Sequence, residues 1–278
     1  MYRYVLIDVF TDTALEGNPA AIVTGSSGIP AGRMQRIARE FNLSETVFVL
    51  PPENGGDARV RIFTPSSELP FAGHPVLGTA FVLAETSGTQ TIRLETGAGV
   101  VPVELARENG RITRGRMQQP IPTWEPYEQT SQLLAALGAE SPSLPVEAYR
   151  NGPRHVYVEL ASEQAVASLQ PDMGALAKLP GIGVACFAEA GSRWKSRNFA
   201  PALGVPEDPA TGSAAGPLAV HLARHGRIGF GQEIEISQGA EIGRPSRLYA
   251  RAAGTADRID SVEVAGAAVI VARGELDA

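Results

Sequence analysis

The strongest constraint on this chain is an internal repeat. Glu68-Leu69-Pro70-Phe71-Ala72-Gly73-His74-Pro75 is answered by Glu207-Asp208-Pro209-Ala210-Thr211-Gly212-Ser213-Ala214, so that Pro70 aligns with Pro209, Gly73 with Gly212 and His74 with Ser213. The offset is 139 in a chain of 278 residues. Arg61-Ile62-Phe63-Thr64-Pro65 is answered by Arg197-Asn198-Phe199-Ala200-Pro201, 136 positions on. Pro19, ahead of Ala20-Ala21-Ile22-Val23, is answered by Pro153, ahead of His155-Val156-Tyr157-Val158, 134 positions on. Landmarks in the same order at a slowly drifting offset describe one unit duplicated and fused. Two copies are too few for a solenoid. The expectation is two similar domains with a site between them.

The length accommodates two domains, and 44% hydrophobic residues suffice for ordinary cores. Net charge is −6 and the basic residues form no run, which argues against nucleic acid or an acidic membrane as partner. No apolar run approaches the roughly 18 residues of a membrane span. The N-terminus enters a strand pattern directly, so neither signal peptide nor span is expected and the expected location is cytoplasmic. Cys186 is the only cysteine, which excludes an intramolecular disulfide or a cysteine-based zinc site.

Alternation predicts strands over residues 4–10, 20–24, 46–50, 59–63, 91–95, 100–105 and 112–117 in the first half, with a helix over 31–41 whose Met34, Ile37, Ala38 and Phe41 share one face. The second half repeats the plan: strands over 155–160, 184–188, 195–199, 233–237, 248–253 and 262–272, with helical stretches between 163 and 179. Two segments nearly free of charge, 75–84 and 213–225, read as helices buried on every side. The Pro-rich stretch 119–124 is the natural linker. The predicted class is α+β: domains 1–123 and 124–278, each a curved sheet around a central buried helix, with the last strand able to return to the first domain.

Each repeated motif is a Gly-rich turn opening a buried helix. Unpaired N–H groups and a partial positive charge at such a terminus suit an anion, and glycine lets a ligand approach the backbone. Glu45 stands at a helix–strand junction followed by apolar residues, where desolvation raises a carboxyl pKa towards that of a general acid/base. No acid stands at the equivalent place near Gly183. Asp208 precedes the second turn and His74 sits at the first; each is as compatible with a structural cap or a core histidine as with catalysis. His221 and His225, at i and i+4, lack the glutamate of a zinc protease, and no phosphate loop, nucleophile elbow or dinucleotide fingerprint is present.

The segments Glu16-Gly17-Asn18-Pro19-Ala20, Asn42-Leu43-Ser44-Glu45-Thr46, Arg61 to Pro65, Leu69 to Pro75, Asp208 to Gly216, Asn151-Gly152-Pro153-Arg154-His155 and His221 to Gly226 resemble the phenazine-biosynthesis PhzF family, along essentially the whole chain. The resemblance implies the diaminopimelate-epimerase fold and a homodimer without cofactor or metal. It implies isomerisation of trans-2,3-dihydro-3-hydroxyanthranilate to the aminoketone, with Glu45 as the catalytic residue and Gly73, His74, Asp208, Gly212 and Ser213 as substrate contacts. An isomerase of another cyclic amino or hydroxy acid would carry the same residues. A catalytically silent small-acid binder would bind ligand without proton exchange. A two-thiol epimerase is excluded by the single cysteine.

Overall fold

The computed structural model describes residues 1–277. The chain divides into two compact units, one of residues 1–119 together with the chain from Glu263 onward, the other Pro120–Val262. The first unit contains β1 (Tyr2–Val9), β2 (Asn18–Thr24), α1 (Ala31–Phe41), β3 (Glu45–Leu50), β4 (Ala58–Phe63), β5 (Glu68–Leu69), α2 (Gly73–Ser87), β6 (Thr91–Thr96), β7 (Gly99–Glu108) and β8 (Arg111–Gln119). The second contains β9 (Thr123–Pro126), α3 (Thr130–Leu137), β10 (Glu147–Arg150), β11 (Arg154–Glu159), α4 (Glu163–Ala167), α5 (Met173–Leu176), β12 (Gly183–Ala190), β13 (Arg193–Ala200), β14 (Val205–Asp208), α6 (Gly212–Arg224), β15 (Glu233–Gln238) and β16 (Ser246–Gly254). β17 (Ile259–Gly266) leads out of it, and β18 (Ala268–Leu276) lies wholly in the first.

The repeat in the sequence is a repeat in strand pairing. In the first unit β1 is antiparallel to β2 and β18, and β2 is parallel to β3. β3 is antiparallel to β4, β4 antiparallel to β5 and parallel to β6, and β6 antiparallel to β7. In the second unit β10 is antiparallel to β11 and β9, and β11 is parallel to β12. β12 is antiparallel to β13, β13 antiparallel to β14 and parallel to β15, and β15 antiparallel to β16. Each parallel step needs a crossover, and the crossovers hold the helices: α1 and α2 in one unit, α4 with α5 and then α6 in the other.

Registers make the equivalence residue by residue. Ile62 pairs with Leu69 where Asn198 pairs with Asp208. Ala20 pairs with Glu45 where His155 pairs with Gly183.

Helix α2 touches β1, β2, β3, β6, β7, β8 and β18, so the sheet curves around it. Leu77 at 0% and Phe81 at 5% exposure each contribute about 2–3 kcal/mol by burial. The close approach rests on Gly115 of β8, where a Cβ would stand 2.6 Å from Leu77 Cδ1 and 2.7 Å from Phe81 Cε2. Helix α6 is buried from Gly212 to Ala223. It contains Pro217, which has no N–H for the helical ladder.

Two sequence expectations change. The boundary falls at Gln119/Pro120, because Thr123 is already in β9 and pairs with Arg150. The strand expected over 262–272 is two strands, interrupted at Ala267, whose carbonyl accepts from the Phe10 N–H at 2.8 Å. β17 pairs with β8 and β18 with β1, which places the chain's last strand in the first unit.

Candidate active site

In the first unit, Ala72 is extended (φ −147°, ψ 139°) and α2 begins at Gly73, so His74 lies in the opening turn, 3% exposed. Its Nε2 is 3.3 Å from Oε2 of Glu45, the first residue of β3. Ala20 of β2 pairs with Glu45 in the parallel register. Burial pushes His74 down to about 3, against a hydrogen bond to the Pro19 carbonyl that works the other way. His74 is therefore neutral at pH 7. The ring gives its hydrogen to the Pro19 carbonyl and turns its other nitrogen towards Glu45.

In the second unit, Asp208 ends β14 and Thr211 is the N-cap residue of α6. Asp208 lies ahead of the N-cap residue, and its Oδ2 accepts from Thr211 Oγ1 at 2.6 Å. Gln238 donates to the Asp208 carbonyl at 2.7 Å and to Thr211 Oγ1 at 3.0 Å, which locks that loop. Ser213, in the opening turn of α6, has His155 Nε2 3.1 Å from its Oγ.

Each unit thus carries a carboxyl group near the opening turn of its central helix, on non-equivalent strands. Glu45 begins β3, where its counterpart is Gly183; Asp208 ends β14, where its counterpart is Leu69. Both loops are braced alike. Arg61 holds Glu68 through two bonds of 2.7 and 2.6 Å, and Arg197 holds Glu207 through two of 2.8 Å. Neither α2 nor α6 has an acid in its own first turn, and neither N-cap side chain, Ala72 or Thr211, makes a cap hydrogen bond. Glu45, Gly73 and His74 are brought together in the first unit, and Asp208, Gly212 and Ser213 in the second. Sequence reasoning assigned no role to Thr211, Gln238, Asn151 or His155; the motif containing the last two was the available signal.

Two other groups have chemistry-bearing side chains. Cys186 of β12 is buried in an apolar cluster, and burial pushes its thiol up to about 12, so it is not a nucleophile at neutral pH. Glu147, His221 and His225 have the composition of a metal site, with donor atoms within 4.8 Å of one another. The same Glu147 oxygen, however, accepts from Arg224 at 2.9 Å and from Tyr149 at 2.8 Å. Burial opposes the charge on Glu147, but His221, His225 and Tyr149, then Arg224, outweigh it and hold the carboxyl well below its usual range. The guanidinium, 4.2 Å from the centre of the Trp124 ring, already stands where a cation would be attracted. The cluster is an ion-paired strut between β10 and the end of α6.

The buried histidines set an acid limit. Burial lowers His74 to about 3 and His155 to about 4, while an unfolded histidine titrates near 6.5. Below about pH 6.5 the unfolded chain binds more protons than the folded one, so stability falls as pH falls, by about 1.4 kcal/mol per pH unit for each such proton. Urea unfolding between pH 7 and 4.5 should show this slope, and His155→Gln should flatten it. An unchanged slope would mean that His155 is not held neutral.

The architecture, two like units each wrapping a helix, occurs in solved structures. A hydroxyproline epimerase from Agrobacterium vitis matches with a TM-score of 0.72 over 99% of this chain and 90% of that one, at 14% identity; the shared feature is the diaminopimelate-epimerase-like fold. A PhzF-family phenazine biosynthesis protein from Bacillus anthracis matches more closely, with a TM-score of 0.85 at 27% identity over 99% of this chain and 98% of that one. The profile of the phenazine biosynthesis-like proteins spans residues 7–274, and the chain belongs to that family. The trans-2,3-dihydro-3-hydroxyanthranilate isomerase of Pseudomonas aeruginosa is 55% identical over 274 residues, 99% of each chain.

Proposed function

We propose that the chain is an isomerase that converts trans-2,3-dihydro-3-hydroxyanthranilate to 6-amino-5-oxocyclohex-2-ene-1-carboxylate. The observation that carries the reading is the Glu45 carboxyl against the neutral, buried His74, with no acid at the equivalent Gly183. Full-length similarity to isomerases of that substrate supports it. The C3–H bond of the substrate is acidified through a conjugated diene ending at the carboxylate-bearing C1. Glu45 takes the C3 proton and delivers it to C1, which across the ring is separated from C3 by a single carbon. The C3–H bond breaks, the C1–H bond forms, the double bonds shift, and the enol at C3 relaxes to the ketone. Negative charge accumulates on the carboxylate in the transition state, where the opening turn of α6 with Gly212 and Ser213 stabilises it. His74 holds the C3 hydroxyl, Gly73 lets the ring approach the backbone, and Asp208, fixed by Thr211, binds the amine.

Two carboxyl groups and two helix termini account for this chemistry without a cofactor. Protein treated with EDTA should consume the substrate, followed as loss of diene absorbance, at an undiminished rate. Absence of turnover by the untreated protein would contradict the substrate assignment, and loss on EDTA treatment restored by zinc would contradict cofactor independence. A homodimer in the cytoplasm completes the proposal. No helix among the described residues is long and apolar enough to cross a membrane, and net charge −6 disfavours nucleic acid. A solution mass equal to one 29.2 kDa chain would contradict the dimer.

A further inference from the structure

The segment Asn151 to His155 is part of the family resemblance but takes no part in the chemistry above. In the structure it grips the opening turn of α6. Pro217 stands four residues after Ser213 and has no N–H to give the Ser213 carbonyl. Asn151 Nδ2 donates to that carbonyl instead, at 3.1 Å. His155 Nε2 lies 3.1 Å from the hydroxyl of the same residue, and the ring is 4% exposed. Gly183 makes room for it: a Cβ there would stand 2.6 Å from His155 Nδ1 and 3.1 Å from Asn198 Oδ1. One serine is therefore held at two atoms by two buried side chains, Asn151 in the turn after β10 and His155 on β11, where its own helix cannot hold it.

The tautomer follows from what each ring nitrogen meets. Burial keeps His155 neutral, at about 4, so the ring carries one hydrogen. Nδ1 has no hydrogen-bond partner among the described residues. Buried N–H groups without an acceptor are rarer than under-satisfied acceptors, so the hydrogen belongs on Nε2. Nε2–H then donates to Ser213 Oγ, and the serine's own hydrogen cannot be spent on the ring.

We propose that His155 is a positioning residue: by donating to Ser213 Oγ, with Asn151 fixing the same residue's carbonyl, it commits the Ser213 hydroxyl to donate its hydrogen to the substrate carboxylate. The proposal rests on the reading of Ser213 as a carboxylate contact. It makes the second unit's His155–Ser213 pair the counterpart of Glu45–His74, with the strand-borne partner moved from β3 to the strand equivalent to β2.

The test combines a substrate-free readout with kinetics. In protein labelled with 15N-histidine, the His155 resonances, assigned by their loss in His155→Gln, should show a protonated Nε2 and a bare Nδ1. The opposite tautomer overturns the proposal whatever the substrate proves to be. In kinetics, His155→Leu should lower kcat/KM about tenfold, the scale of one hydrogen bond to a charged group, and His155→Gln, which keeps a donor, should recover most of it. In a Ser213→Ala background, His155→Leu should cost less than twofold. An equal cost with and without the Ser213 hydroxyl shows a merely structural role and overturns the proposal. Should the leucine variant fail to fold, His155→Met serves as the apolar variant in the same cycle.

Discussion

Glu45→Gln should fold, bind the substrate and turn over at least about 10²–10⁴-fold more slowly than the native protein. Glutamine keeps the shape of the side chain and its hydrogen bonding towards His74 but cannot give up and take back a proton. Because Gly183 stands at the equivalent position in the second unit, no symmetry-related carboxyl group takes over. A second readout separates one base from two. Substrate deuterated at C3 and turned over in ordinary water should retain some deuterium at C1, to an extent set by how well the site excludes solvent. Near-native turnover of the variant would remove Glu45 from the mechanism. Complete washout of label with delivery to the opposite ring face would remove the single-carboxyl shuttle.

Gly239→Ala should destabilise the protein by about 2–4 kcal/mol and impair catalysis as well. Gly239 sits at φ +81°, and a Cβ there would stand 2.3 Å from the Arg244 carbonyl oxygen and 2.5 Å from that of Pro209. Both obstacles are backbone, so no side chain can rotate away and the chain itself must move. Pro209 lies between Asp208 and Thr211, whose 2.6 Å hydrogen bond orients the carboxylate, and Gln238, the neighbour of Gly239, holds both. Thermal melts should fall by several degrees and kcat/KM should fall in the protein that remains folded. An unchanged melting temperature would contradict the geometry of this turn.

The repeat carried most of the architecture because it survives where the chain is most constrained: glycines at the helix starts, the arginines that grip Glu68 and Glu207, and the alternation of buried strands. Local pattern failed where an element is short or its reason is remote. Helix α3 is eight residues long with Leu133, Ala136 and Leu137 buried, too little periodicity to separate from a loop. β9 and β10 are four residues each and exist because they pair with one another and with β11. The break at Ala267 is invisible in an apolar run, because it is made by Phe10, more than 250 residues away in sequence. At the site, Glu45 and the helix turns were legible as residue types beside turn signals. The roles of Thr211, Gln238 and Asn151 were not, since each depends on a partner that only the fold supplies. Pro217 held the one local clue: a proline inside a helix leaves a carbonyl four residues back in want of a donor.

The path of the chain through its two units also bears on the order of events during synthesis. Residues 120–262 are contiguous, so the second unit has its whole sheet once they have been made. The first unit lies on both sides of it in sequence: β1 lacks one of its two neighbours until Ala268–Leu276 arrives to pair with it from Val9 back to Tyr2. Translation from the N-terminus therefore leaves the earlier unit with an open edge while the later one is being made, and β18 closes it. A chain cut ahead of Ala268 would keep the whole sheet of the second unit and lose a strand of the first.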